Sequence, residues 1–133
     1  DDKNGPHFRE CDKELVRMGI KFFPVTLGPM RKLTERGMKL RKVFERKGFK
    51  VIESFPGAVQ DVLGMPRKQK GLEKLRKALI AYGLKGDVAT AKSDHELDAA
   101  TSALVGKLYL DGEYTAIGDP KEILMILPKS QEE

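Results

Sequence analysis

Residues 30–55, MRKLTERGMKLRKVFERKGFKVIESF, carry the signal that decides the fold class. In their first part Met30, Leu33, Gly37, Leu40 and Phe44 recur at 3-4-3-4 spacing. That spacing draws one apolar stripe along a helix over residues 30–47. The rest of that helix is basic, with Arg31, Lys32, Arg36, Lys39, Arg41, Lys42, Arg46 and Lys47 offset by Glu35 and Glu45. Gly48 is a natural stop just past its end. Residues 49–55 then read as an apolar strand, closed by Pro56-Gly57. A helix, a glycine and a strand in succession point to a layered α/β architecture.

The same reading extends outward. Upstream, residues 1–7 form a polar loop, residues 8–18 a short helix ended by Gly19, and residues 20–25 a short extended stretch. Downstream, residues 58–63 make one or two helical turns. A basic loop over residues 64–71, bracketed by glycines, leads to a helix over 72–82 with Leu72, Leu75, Leu79 and Tyr82 aligned. After a linker over 85–92, a third strong helix runs over 93–110 with Leu97, Thr101, Leu104 and Leu108 on its inner face. Residues 114–117 and 122–127 read as closing strands.

Bulk properties bound the class. A chain of 133 residues is one domain's worth, long enough to bury a core without crosslinks. Cys11 is its single cysteine, so no internal disulfide forms, which points to a reducing compartment or to no need for crosslinks; a cytoplasmic location is expected. The longest late apolar run, residues 123–127, is far short of the ~20 residues a membrane-spanning helix needs, so no membrane partner is expected. The net charge is +5 with a pI near 9.3, which permits a polyanionic partner without establishing one. Abundant charge with a lone asparagine and no tryptophan leans towards a thermophilic source. The chain does not begin with Met, and a missing start is expected.

Ser93-Asp94-His95-Glu96 fits a capping box, which gives Glu96 a structural task. Asp94 and Asp98 lie four residues apart and share one flank of the helix, beside its apolar stripe. Two carboxylates at the rim of a core repel unless a cation sits between them, and hard divalent ions favour such oxygens. Glu53 ends an apolar strand on the side of Val51 and Phe55. A carboxylate there needs a partner, unless it lies at the strand's exposed end or pairs with one of the many lysines. Arg67, Lys68 and Lys70 of the basic loop are candidate phosphate contacts, as is the basic helix face, and both also read as solvated surface. His7, His95 and Cys11 have no zinc spacing, and no phosphate-binding GxxxxGK[ST] loop or GxSxG elbow is present.

A strand ending in Glu53, followed by a helix that opens Asp94-His95-Glu96-Leu97-Asp98-Ala99-Ala100, resembles the ribonuclease H-like superfamily. The RuvC resolvase branch has a similar Asp-x-x-Asp-Ala pattern, here with one extra residue between the aspartates. More closely, the chain resembles a family of predicted nucleases of this fold, catalogued as a domain of unknown function in bacteria and archaea. The resembling stretches are Arg9-Glu10-Cys11-Asp12-Lys13-Glu14-Leu15, Val51-Ile52-Glu53-Ser54-Phe55-Pro56-Gly57-Ala58, Gly64-Met65-Pro66-Arg67-Lys68-Gln69-Lys70-Gly71, and Asp94 to Ala103.

The resemblance implies one ribonuclease H-like domain over residues 1–133, a mixed sheet flanked by helices, lacking its N-terminal strands. It implies a Mg²⁺- or Mn²⁺-dependent nuclease acting on DNA or RNA. Glu53, Asp94 and Asp98 would converge as metal ligands, joined by a first-strand Asp not found in this chain; Asp1 and Asp2 do not fill that role. An uncovered strand edge would favour a homodimer, strand exchange or dependence on a further segment. The alternatives are a non-catalytic nucleic-acid-binding or assembly module of the same fold, or a small-molecule regulatory domain.

Overall fold

Local chemistry places most element boundaries. The computed structural model describes residues 8–23 and 28–129. The loop read over 1–7, with Asp1, Asp2 and His7, lies outside the described residues, as does part of the stretch read over 20–25. The described residues form a mixed α/β chain of five α-helices and a two-stranded antiparallel sheet. In order these are α1 (Glu10–Arg17), α2 (Gly28–Arg46), α3 (Pro56–Val62), α4 (Leu72–Tyr82), α5 (Asp94–Leu110), β1 (Tyr114–Asp119) and β2 (Ile123–Pro128). Short 3₁₀ turns occupy Lys68–Lys70 and Gly86–Thr90.

The chain divides into two compact units, and both strands of the hairpin contribute residues to each. The unit of Ser54–Ala116 and Ile126–Glu133 contains α3, α4 and α5. In it α5 packs on α3 and α4. Leu75 and Leu79 of α4 and Leu97 and Leu104 of α5 form one apolar cluster with Met65, Val88 and Ala91. Full burial of a leucine side chain contributes about 1.5–3 kcal/mol, so these two helices anchor the unit. The expected inner face of α5 is buried at Leu97, Thr101 and Leu104, half-buried at Leu108, and widened by Val105. Its start has the expected N-cap: Ser93 Oγ accepts the Glu96 N–H at 3.1 Å. The Glu96 carboxylate, expected on the Ser93 backbone N–H, instead accepts from the Ser93 hydroxyl at 3.0 Å.

The unit of Asp1–Glu53 and Ile117–Met125 contains α1 and α2, with Cys11, Leu15, Ile20, Ile117 and Met125 buried. Gly118 has a φ of 112°, and a Cβ there would lie 2.8 Å from the Ile123 carbonyl and 2.9 Å from Cys11 Cβ. Only glycine fits that backbone and that approach. Its N–H donates to Glu14 Oε2 at 2.5 Å, tying the hairpin to α1.

Two expectations are corrected in this unit. Residues 49–55 are not a full strand; the segment is extended, but only Glu53 pairs, in a parallel bridge to Met125. Alternation records which side chains share a face, whereas backbone pairing needs a partner at every step. The stripe of α2 is likewise not a core face, and no described residue of α2 is buried. Leu33, Leu40 and Phe44 are 63%, 45% and 46% exposed. The helix is part-buried at Met30, Thr34 and Arg41 instead, which lie within ~40° of one another around its axis.

Candidate functional site

The capped start of α5 projects Asp94 from its first turn and Asp98 from the next. The 3₁₀ turn after Arg67 brings Lys68 to both of them. Lys68 Nζ donates to Asp94 Oδ2 and to Asp98 Oδ2, each at 3.2 Å. The cation required between two neighbouring carboxylates is thus supplied by the chain itself. Burial would lower the Lys68 pKa, but its hydrogen bonds to the two aspartates outweigh this and raise it above 10.5. The bond from Lys68 holds the Asp94 carboxyl below its ordinary 3.8. All three side chains are partly exposed, at 30–41%, so the trio is screened by salt and open to exchange with a cation from solution.

The other loop cations differ from one another. Arg67 makes a bidentate pair with Asp61, at 3.0 Å through Nε and 2.7 Å through Nη2, and its guanidinium lies 5.4 Å from the Phe55 ring centroid. Gly57 makes room for this stack, since a Cβ there would lie 3.1 Å from Arg67 Cζ. Lys70 is exposed.

Glu53 belongs to the other unit, where its partner is an arginine rather than a lysine. Arg9 Nη1 donates to both of its carboxylate oxygens, at 2.8 and 2.9 Å. The same guanidinium donates to Asp12 through Nε at 3.1 Å and Nη2 at 2.9 Å, and the Arg9 backbone N–H adds a bond at 3.0 Å. Asp12 is 1% exposed. One arginine therefore compensates two carboxylates, and removing one member of such a buried pair costs about 3–5 kcal/mol. Burial pushes the Cys11 thiol up to about 11, so it is an inert thiol at neutral pH.

Sequence reasoning missed Arg9 and Asp12 as site residues. A signal existed: Asp12 stands three residues before Leu15 on the buried side of α1, and a carboxylate there demands a cation. Of the three expected ligands, Asp94 and Asp98 meet on Lys68, while Glu53 is bound by Arg9. Among the described residues, no three His, Cys, Asp or Glu side chains are grouped so as to hold a metal ion. No described helix is long and apolar enough to cross a membrane. No family model, curated protein or solved structure matches this chain.

Proposed function

We propose that the chain is a metal-dependent phosphodiesterase of the ribonuclease H-like kind, acting on DNA or RNA, in which Asp94 and Asp98 take a Mg²⁺ or Mn²⁺ ion. The observation that supports this is the convergence of the two carboxylates on one cationic nitrogen, at 3.2 Å each. Mg²⁺ binds through one or two carboxylates and keeps several waters, so the pair fits the ion once Lys68 withdraws. A metal bound there would supply Lewis-acid and water-activating chemistry. Asp94 and Asp98 would hold it. The withdrawn Lys68 ammonium becomes a donor for a phosphate oxygen, and the exposed Lys70 adds a backbone contact. By resemblance Glu53 would be a metal carboxylate as well; in this structure it is held by Arg9.

One observation favours a second reading, a non-catalytic nucleic-acid-binding module. Lys68 already fills the position between the aspartates. The test incubates the full chain with single-stranded RNA and with supercoiled DNA in Mg²⁺, Mn²⁺ or EDTA. The catalytic reading expects metal-dependent cleavage, lost in Asp98→Asn, and several-fold tighter Mg²⁺ binding in Lys68→Gln by calorimetry. Nucleic-acid binding without cleavage, with Mg²⁺ affinity unmoved by either substitution, would establish the second reading.

A further inference from the structure

Of the loop cations only Lys70 is exposed with no ion-pair partner among the described residues, so most of the cations open to a polyanion lie elsewhere. Lys68 is held by Asp94 and Asp98, and Arg67 by Asp61. On α2, Arg41 pairs with Glu45. Lys32, Arg36, Lys39 and Lys42 are all exposed and have no ion-pair partner among the described residues. At ~100° and ~1.5 Å per residue, these four fall within an arc of ~120° along ~15 Å of helix. That stretch also holds the exposed Glu35, so the arc carries four positive charges against one negative. A nucleic-acid duplex presents about nine phosphate charges over that length.

We infer that this basic face of α2 is a docking surface for the phosphate backbone of nucleic acid, read without regard to sequence. Charge complementarity selects the occupant. An anionic bilayer that took Leu33, Leu40 and Phe44 into its surface, with the cations at the headgroups, is the other occupant, and the test below separates the two. The inference shares only its partner with the reading above and needs no catalysis.

The test uses the full chain in EDTA with a labelled mixed-sequence DNA duplex of about 20 base pairs, titrated between ~50 and ~200 mM salt. Binding should weaken linearly in the logarithm of salt. Replacing Lys32, Arg36, Lys39 and Lys42 together by Gln should flatten that slope by about 3–4, at ~0.9 per lost contact, and weaken several duplex sequences alike. Lys32→Gln/Lys39→Gln and Arg36→Gln/Lys42→Gln should each lose about half as much, which keeps the test decisive if the fourfold variant loses helical circular dichroism. Lys74→Gln/Lys85→Gln, at exposed lysines outside α2 and the loop, should leave the slope in place. An unchanged slope in the α2 variants overturns the inference. So does absence of DNA binding at the low salt, or binding confined to phosphatidylserine vesicles or to acidic peptides. Binding without Mg²⁺-dependent cleavage leaves this surface standing and defeats only the catalytic reading. Cleavage with a slope insensitive to α2 does the reverse.

Discussion

The bond from Lys68 to Asp94 ties the titration of one to that of the other. Asp94 is held below 3.8, so the bond contributes stability that is complete above that value and lost as pH falls through the depressed one. Lys68 is held above 10.5, so its share is complete below that value and lost as pH rises through the raised one. Between these limits the trio is closed. Lys68→Ala should therefore move the Asp94 carboxyl titration upward, towards 3.8, when followed by NMR. A curve that does not move would mean that Lys68 does not hold Asp94 in solution. Spacing on α5 was enough to place Asp94 and Asp98 on one flank and to demand a cation. It could not name that cation, because Lys68 stands 26 residues before Asp94. Glu53 poses the same problem, since its partner Arg9 is 44 residues away. Periodicity is local information, and these pairings are not local.

At the scale of elements, the helices whose stripes are buried were the legible part. On α4 and α5, capping and 3-4 spacing agree with burial at Leu75, Leu79, Leu97 and Leu104, although Tyr82, aligned with the α4 stripe, is exposed. On α2 the same spacing yields a helix whose stripe lies at the surface, because a stripe says nothing of what faces it. Residues 49–55 keep strand-like alternation but find one bridge only. Less legible still was the polar contact joining α3 to α5. Gln60 Nε2 donates to Thr101 Oγ1 at 3.2 Å, and Thr101 Oγ1 donates to the Leu97 carbonyl at 2.8 Å, all buried. Thr101→Val keeps the shape but leaves the Gln60 amide without its acceptor, which should cost about 1–3 kcal/mol. Adding Gln60→Leu removes both partners and should recover much of that loss. Urea denaturation of the single and double variants reads both effects. A single-variant loss under ~0.5 kcal/mol would show that this buried contact does not matter.

At the scale of the whole chain, charge and exposed apolar surface oppose each other. The chain carries a net charge of +5. Phe23, Leu33, Phe44 and Phe49 are each at least 46% exposed, and Phe44 and Phe49 meet edge to face at 6.0 Å. Exposed apolar surface drives association, while like charge resists it over a Debye length of ~10 Å at 0.1 M salt and ~3 Å at 1 M. Raising salt should therefore strengthen self-association, since the repulsion is screened and the apolar contact is not. The same change weakens binding of the basic arc of α2 to phosphate, because that attraction is electrostatic. Sedimentation velocity at ~0.05 and ~0.5 M NaCl should show a larger mean mass at the higher salt, reduced in Phe44→Glu. Self-association that instead falls with salt would mean that opposite charges, not the apolar stripe, bring the copies together. Opposite responses to salt would show that the two sides of α2 serve different partners.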